Sequence, residues 1–353
     1  MSDPQSNTSF VCYLFTAEYP YGKGETYLHE ELKFLSKRFQ RLVLVPTEKV
    51  SGEIRELPEN CAVDLQNFEL TRTEKVKALK GTLNEIYKSE KKWVKKRYGI
   101  KFDSIIRKTA LVSLARGRKV KDYIDGLEKV DILYSYWAND AAIGLALSES
   151  STKKVFRTHA WDADFNRSEA KYLPFRKLTV DRCDAIFPIS ETTRKICMNQ
   201  WKVAGDKFEV QRLGVSDLKT KNLICTDVFT VVSCSALIGL KRVHLIGEAL
   251  SKLHLQEQIN WVHFGDGPQR KKLEAKAKSW ERSKLQIDFR GHVGNEKLLS
   301  WYERQRKGRT PSFAYGSLFG RYTLYSNRCW RNQRIDGGFR NASSKRTRRK
   351  YSE

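Results

Sequence analysis

The sequence predicts an α/β protein with two domains, each containing a parallel β-sheet. Short apolar runs alternate with amphipathic helices, and the order strand, loop, helix, strand occurs both near the start of the chain and after residue 228. A length of 353 residues is sufficient for two domains with sizeable cores. The apolar share of 40% is ordinary for a globular protein. No run of eighteen or more apolar residues occurs, so no transmembrane helix is expected.

The first predicted elements are an apolar strand at 10–15, a helix at 25–39 and a buried strand at 41–46. The loop between the first strand and the helix contains Pro20, Gly22 and Gly24, which favour a turn. Gly24 on its own is therefore compatible with a plain turn.

Residues 69–129 are predicted to be largely helical, with many Lys and Arg and with Trp93, Tyr98 and Phe102 among them. Three interpretations remain open for this basic segment. It is a solvated helical face, an amphipathic surface that lies on anionic lipid, or a nucleic-acid-binding surface.

The next strands are predicted at 131–137, at 154–162 and at 185–189, with a small-residue helix at 138–147. The strand at 154–162 is predicted to end on His159 and Asp162, where a histidine can hydrogen-bond a sugar hydroxyl or cap a loop. Ser190 is a typical N-cap for the following helix. We expect an N-terminal domain at 1–215 and a polar linker at 216–227.

The second domain opens with a β-branched strand at 229–233 and a loop that ends in Lys241 and Arg242. An amphipathic helix follows, and a strand at 261–264 leads into Gly265-Asp266-Gly267-Pro268. Adjacent cations before a helix suit a diphosphate, because free N–H groups and the helix dipole already favour an anion there. Glycines after a strand allow backbone to approach a ligand closely. The alternatives are a solvated cation pair and a simple turn.

Three segments of the second domain resemble a known family. The runs "SALIGLKRV" at 235–243, "FGDGP" at 264–268 and "FRGHVGNEKLLSWYE" at 289–303 are similar, in order and spacing, to group 1 retaining nucleotide-sugar glycosyltransferases. That family has two Rossmann-like domains, the GT-B fold. The run "YPYGKGE" at 19–25 and the His-x-x-Asp of residues 159–162 resemble the acceptor domain of the same family. The resemblance covers roughly residues 10–302.

The resemblance implies a role for each motif residue. Lys241 and Arg242 would neutralise the departing diphosphate, and Gly265, Asp266 and Gly267 would shape the donor nucleotide pocket. His159 would lie near the transferred sugar as a catalytic residue together with Lys241, and Gly24, Glu25 and Asp162 would border the acceptor cleft. One departure concerns the phosphate contact: relatives often have Gly-Arg-Leu where this chain has Ser-Ala-Leu at 235–237.

No metal or other cofactor is expected, and the nucleotide sugar is a substrate. Asp162-Ala163-Asp164 spells the Asp-x-Asp of metal-dependent glycosyltransferases. That pattern belongs to a single-domain fold and needs a hard cation, so we reject it here. The seven cysteines include no Cys-x-x-Cys pair, which favours reduced thiols and a cytoplasmic location. Contact with the inner face of the membrane would follow from the basic helices.

The composition changes abruptly after residue 302. Residues 303–353 contain 14 Lys and Arg against 3 Asp and Glu, but only three residues from Val, Ile, Leu and Met. This segment predicts a disordered basic tail and leaves the donor domain, 228–302, incomplete. Codons for residues 308–317, read one base later, can spell the missing family motif Glu-Gly-Leu-Pro-Val-Ser-Leu-Met-Glu-Ala. We therefore hypothesise a frameshift near 304–307, with a natural basic tail as the alternative.

The net charge of +25 lies mainly in this tail and in 72–129, rather than in a recognisable nucleic-acid-binding fold. The sequence thus favours a glycosyltransferase of polysaccharide assembly, inactive in this truncated form. Its partners would be a nucleotide-sugar donor, a glycan or lipid-linked acceptor and an anionic membrane, with no specific nucleic acid. A non-enzymatic remnant of the fold and a basic nucleic-acid-binding protein remain the alternatives.

Overall fold

The structure is a computed structural model of the chain. It describes residues 9–22, 24–80, 84–214, 228–254, 258–281, 283–294, 297–298, 300–301 and the backbone of 325–326. The chain divides into two compact units, Met1–Asp217 and Leu218–Glu353. The predicted linker 216–227 and nearly all of the tail 303–353 lie outside the described residues, so the predicted domain boundaries, the disorder of the tail and the frameshift stay predictions.

The first unit contains a six-stranded parallel sheet in the order β3-β2-β1-β4-β5-β6. Its strands are β1 (Val11–Thr16), β2 (Arg41–Pro46), β3 (Cys61–Val63), β4 (Ile132–Ser135), β5 (Lys153–Thr158) and β6 (Ala185–Pro188). The central strands are buried on both faces, which explains why β1 and β2 are near-continuous apolar runs. All carboxyl ends of these strands therefore lie on one edge of the sheet.

The helices of the first unit connect and cover these strands. They are α1 (Thr26–Leu35), α2 (Arg72–Leu79), α3 (Glu85–Tyr98), α4 (Ser104–Asp125), α5 (Asp140–Leu147), α6 (Ala160–Ala163), α7 (Arg176–Arg182) and α8 (Glu191–Trp201). The basic segment predicted as largely helical thus forms α2, α3 and α4. Their starts are defined by side-chain caps from Thr71, Asn84 and Asp103. Ser190 caps α8 through Thr193 N, as predicted.

Some predicted strands end earlier than the sequence suggested, and the one predicted at 131–137 ends at Ser135. The strand predicted at 154–162 ends at Thr158, and Asp162 lies in the one-turn helix α6. The reason is that the Asp162 carboxylate accepts a hydrogen bond from His159 N at 2.6 Å, which turns the chain directly after the strand. His159, but not Asp162, is therefore positioned by the strand end.

The second unit contains the sheet β10-β7-β8-β9. Its elements are β7 (Phe229–Cys234), α9 (His244–Ser251), β8 (Ile259–Phe264), α10 (Arg270–Trp280), β9 (Leu285–Gly291) and β10 (Tyr325–Ser326). Strands β7 and β8 are parallel, as predicted, and β9, which was not predicted, is parallel to β8. The two-residue β10 pairs with β7 in the antiparallel direction. Trp261 and Leu237 lie in the core between the sheet and the helices α9 and α10. Within the described residues, no helix combines the length and apolar character that crossing a bilayer requires.

Candidate functional site

In the second unit, the loop after β7 and the loop after β8 form one double loop at the carboxyl edge of the sheet. Ser235 N donates to Phe264 O at 3.0 Å, and Leu237 N donates to Asp266 O at 2.9 Å. Gln269 N donates to Leu237 O at 3.0 Å. These backbone hydrogen bonds join loop 235–242, which carries both predicted cations, to the predicted glycine loop 265–268. The sequence motifs are therefore brought together, as their order in a βαβ unit implies.

Gly265 and Gly267 permit this close approach. Their φ angles are +136° and +157°, which side-chain-bearing residues rarely adopt. A Cβ on Gly265 would lie 1.9 Å from Ser235 O, and one on Gly267 would lie 2.7 Å from Leu237 O. The glycines thus allow the backbone of the neighbouring loop of the same unit to lie close to them. The sequence had predicted such a close approach for a ligand.

Of the two predicted phosphate-binding cations, Lys241 ends a short 3-10 turn, Gly239–Lys241, and Arg242 directly follows it before α9. Lys241 is half-buried, and its charge opposes the rise in the pKa of the Cys234 thiol that burial causes. Its positive charge thus acts at the end of β7. Arg242 is exposed and has a left-handed backbone with φ of 51°. No side chain caps the start of α9 within the described residues, but Leu245 N and Ile246 N already donate to the carbonyls of Arg242 and Val243 at 3.0 and 3.1 Å. The helix dipole is therefore the feature of this helix start that favours an anion.

Both carboxylate oxygens of Asp266 accept hydrogen bonds from residues of the second unit. One oxygen accepts from Gly267 N at 2.8 Å and the other pairs with Arg270 at 3.2 Å. The hydrogen bond from Gly267, with the charge of Arg270, lowers the pKa of Asp266. Asp266 therefore stabilises the turn that carries the two glycines, and contact with a donor would use its remaining lone pairs.

In the first unit, His159 lies at the carboxyl end of β5 inside an aromatic cluster. Its ring centroid is 4.1 Å from that of Trp137, 5.3 Å from Tyr136 and 5.5 Å from Tyr27. The side chain is buried, and neither ring nitrogen has a hydrogen-bond partner among the described residues. Burial, with the charge of Arg157, lowers the pKa of His159 to about 3, so the imidazole is neutral at pH 7. Buried, unpaired ring nitrogens are expected to meet water or a ligand.

Glu25 acts as an internal anchor at the start of α1. Its carboxylate accepts hydrogen bonds from the backbone N–H groups of Ala17, Glu18 and Tyr19 at 2.8–3.0 Å. It also accepts the indole N–H of Trp137 at 2.6 Å. Because Trp137 packs on His159, Glu25 fixes the cluster around the histidine rather than presenting a free carboxylate. Gly24 is exposed, and a Cβ there would meet nothing within 4 Å, which fits a plain turn.

Asp162 is also an internal acceptor. Its carboxylate accepts from Ala138 N at 2.8 Å, from His159 N at 2.6 Å and from the Thr158 hydroxyl at 3.1 Å. Asp162 thereby ties the loop after β4 to the end of β5. Asp164, the other member of the Asp-x-Asp run, accepts from Gln200 and Asn166. In the described part of the chain, no group of three or more His, Cys, Asp or Glu is arranged to hold a metal ion.

The burial of Asp162 predicts a pH-dependent stability. Burial raises its pKa from 3.8 to about 6, against the opposing hydrogen bond from Ala138 and the charge of Arg176. The folded state therefore prefers the protonated form. Its contribution to stability is complete below pH 4 and is lost as the pH rises to about 6, a change of roughly 3 kcal/mol at most.

We expect Asp162→Asn, which stays neutral, to lose this dependence. The measurement is urea denaturation of wild type and variant between pH 4 and pH 7. Asp184→Asn, at an exposed aspartate that accepts from Lys154 N, is the matched control and should retain the wild-type profile. Identical profiles for wild type and Asp162→Asn would contradict the assignment.

The sequence interpretation missed several residues of these two sites. The Trp137 indole donates to the Glu25 carboxylate, and because the two residues are 112 positions apart in the sequence, no local pattern reveals that contact. Trp161 is 61% exposed on the anchored turn α6, next to Trp137. In the second unit, the hydroxyl of Ser235 is buried without a partner among the described residues. Its position directly after β7 is the signal that could have identified it.

No protein-family model matches the chain, and no curated protein sequence matches it. Solved structures do resemble it. The crystal structure of TarM matches with a TM-score of 0.54 at 9% identity, over 85% of this chain and 79% of that one. Anabaena HepE in complex with UDP and glucose matches at 0.48 with 12% identity, over 81% and 70% of the two chains. The apo lipopolysaccharide outer core galactosyltransferase WaaB matches at 0.46 with 13% identity, over 82% and 70%.

A TM-score above 0.5 indicates a shared fold, and the likeness to TarM meets this condition. An identity of 9% indicates nothing about activity. The α/β class with parallel sheets, predicted from the sequence, is confirmed, and TarM, which shares this fold, is a GT-B glycosyltransferase.

Proposed function

We propose that the chain is a glycosyltransferase polypeptide that takes a nucleotide-sugar donor, with a glycan or lipid-linked acceptor, in polysaccharide assembly. The observation that carries this proposal is the double loop of the second unit. Backbone hydrogen bonds there join loop 235–242, which carries Lys241 and Arg242, to the Gly265–Gly267 turn at the carboxyl edge of a parallel sheet, where α/β proteins bind ligands. This supports the predicted donor role of these five residues without testing it.

The proposed chemistry is electrostatic. As the bond between the sugar and the diphosphate breaks, negative charge accumulates on the departing phosphate oxygens. The ammonium group of Lys241 and the guanidinium group of Arg242 would stabilise that charge, assisted by the first turn of α9. The hydroxyl of Ser235 would donate to the same group. No step in this scheme requires a metal ion from the protein.

The first unit would contact sugar hydroxyls through His159. A neutral imidazole has one donor and one acceptor nitrogen, and both are unpaired among the described residues. Glu25 and Asp162 would act by holding the aromatic cluster and the turn α6 in place. The exposed indole of Trp161 offers an apolar face next to this cluster for a sugar ring.

The test is transfer activity with a panel of nucleotide sugars. We propose that the chain with its present residues 303–353 is inactive, because that segment lacks the family motifs that hold the donor sugar and ribose. A frame-corrected chain should transfer sugar from one donor of the panel. Inactivity of both chains, with no nucleotide bound by either, would support the non-enzymatic alternative. Sequencing the gene through codons 300–340 decides the frameshift.

A second candidate function, contact with an anionic membrane, is favoured by helix α3. Its buried side consists of Tyr87, Glu90 and Val94, whereas its exposed cations are Lys88, Lys91, Lys92, Lys95, Lys96 and Arg97. Glu90 fixes the helix to the body of the unit by accepting from the Tyr172 hydroxyl and from Phe175 N. The cations are thus presented on an anchored surface, the geometry that anionic lipid attracts.

Replacing Lys91, Lys92 and Lys95 with alanine is expected to weaken binding to vesicles of mixed phosphatidylserine and phosphatidylcholine by about 100-fold, at roughly 1 kcal/mol per lysine near the surface. Co-sedimentation measures this. The control removes three exposed lysines of α10, Lys271, Lys272 and Lys278, and should change little. Equal losses in both triple variants would indicate attraction by net charge alone. Loss with nucleic acid but not vesicles would favour the nucleic-acid alternative.

A further inference from the structure

A line of buried polar groups connects the core of the second unit to its double loop. The Trp261 indole N–H donates to the Ser233 hydroxyl oxygen at 2.9 Å. That hydroxyl lies 2.7 Å from His263 Nδ1, and His263 Nε2 lies 3.1 Å from the carbonyl oxygen of Ser235. Trp261, Ser233 and His263 are almost completely buried. The proposed chemistry gives none of these side chains a contact with substrate.

The chemistry of the groups fixes the direction of every hydrogen bond in this line. An indole N–H can only donate and a carbonyl oxygen can only accept. The Ser233 oxygen accepts from Trp261, and Nε2 must carry the hydrogen that is donated to the Ser235 carbonyl. In a neutral ring Nδ1 is then unprotonated, so it accepts the hydrogen of the Ser233 hydroxyl. Burial lowers the pKa of His263 to about 4, which keeps this single neutral tautomer at physiological pH.

The line ends at the carbonyl oxygen of Ser235, which is in contact with both loops. Ser235 begins loop 235–242, and its N–H is bonded to Phe264 O. Its carbonyl oxygen lies 1.9 Å from the position a Cβ on Gly265 would take, so the glycine loop packs directly against it. Any rotation of this peptide would displace both loops, because Leu237, two residues later, is bonded on either side to Asp266 and Gln269.

We propose that His263 is a positioning residue for the phosphate-binding loop. Through Nε2–H it holds the Ser235 carbonyl, and thereby sets the start of the loop that carries Lys241 and Arg242. This inference rests on the proposed function of that loop. The contrasting interpretation is a histidine that only fills the core, for which the tautomer and the Ser233 hydroxyl are immaterial.

The experiment compares His263→Gln, His263→Leu and Ser233→Ala with the full-length wild-type chain. Glutamine retains an amide donor that can reach the Ser235 carbonyl, whereas leucine fills space without donating. Ser251→Ala, which removes another hydroxyl-to-carbonyl bond of the same unit at the far end of α9, is the matched control. Long-range ¹H–¹⁵N spectra report the tautomer, hydrogen exchange of the Leu237 and Lys241 amides reports loop order, and calorimetry with UDP and inorganic pyrophosphate reports anion affinity.

We expect one Nε2–H tautomer in the wild type at pH 7 and a mixture of tautomers in Ser233→Ala. Loss of one neutral hydrogen bond should raise amide exchange and weaken anion affinity by about fivefold in His263→Leu and Ser233→Ala. His263→Gln and Ser251→Ala should stay near wild type. If His263→Leu does not fold, Ser233→Ala decides the question.

The proposal is overturned if wild-type His263 carries its hydrogen on Nδ1 or is charged at pH 7. It is overturned equally if Ser233→Ala leaves both amide exchange and tautomer unchanged. Should neither the wild type nor the frame-corrected chain bind UDP or pyrophosphate, the proposed function fails, and the exchange and tautomer measurements still decide whether His263 positions the loop.

Discussion

Gly265→Ala is expected to destabilise the second unit by about 3–5 kcal/mol, because two independent costs combine at this residue. The φ angle of +136° is one that alanine rarely adopts, and the added Cβ would lie 1.9 Å from the Ser235 carbonyl oxygen. The contact is with backbone, so relief requires the two loops to separate. Hydrogen exchange of amides in β7 and β8 measures the stability of this unit separately from the other.

Gly239→Ala provides the control within the same double loop. Its φ is outside the left-handed range, and the nearest atom to an added Cβ is the Gln269 side-chain nitrogen at 3.4 Å. We expect a change below about 1 kcal/mol. If both alanine variants are destabilised equally, the close approach of the two loops is wrong.

Lys241→Ala is expected to weaken binding of a nucleoside diphosphate by about 10- to 100-fold, the range for one hydrogen bond to a charged group. Affinity for the corresponding nucleoside, which lacks phosphate, should not change. Calorimetry with UDP, GDP and ADP, each beside its nucleoside, measures the difference. The dependence of affinity on salt should also become shallower in the variant, because one charge contact is lost.

Lys252→Ala is the matched control for this experiment, because Lys252 is an exposed lysine at the opposite end of α9. It should bind every nucleotide as the wild type does. Equal affinity losses in the two variants would indicate a general effect of net charge. An unchanged Lys241→Ala variant would remove Lys241 from the donor site.

Much of the fold could be predicted because buried parallel strands leave a strong local pattern. The strand at Arg41–Pro46 was predicted with the bounds it has, since five of its six residues are buried. The end of β5 could not be located in the same way. It depends on the Asp162 carboxylate, whose partners include Ala138 N on another loop, and hydrogen bonds between distant segments leave no periodic signal.

The candidate site was predictable only in its position. Glycines and cations after strands identified the double loop, but the sequence could not show that Gly265 and Gly267 approach a neighbouring loop. Nor could it show that the carboxylates of Glu25 and Asp266 accept hydrogen bonds from the backbone of their own units. The pair of Ser233 and His263 was accessible in principle, because these residues are opposite each other in the register of β7 and β8.

The central claim is that the double loop of the second unit holds the phosphates of a nucleotide-sugar donor. Its most direct test is an amide ¹H–¹⁵N titration of the full-length chain with nucleoside diphosphates and, separately, with nucleosides. We predict that a diphosphate shifts the resonances of loop 235–242 and of Gly265–Gly267, and that these shifts disappear in Lys241→Ala. Saturating diphosphate that leaves these resonances in place, or that moves only resonances of the first unit, would contradict the claim.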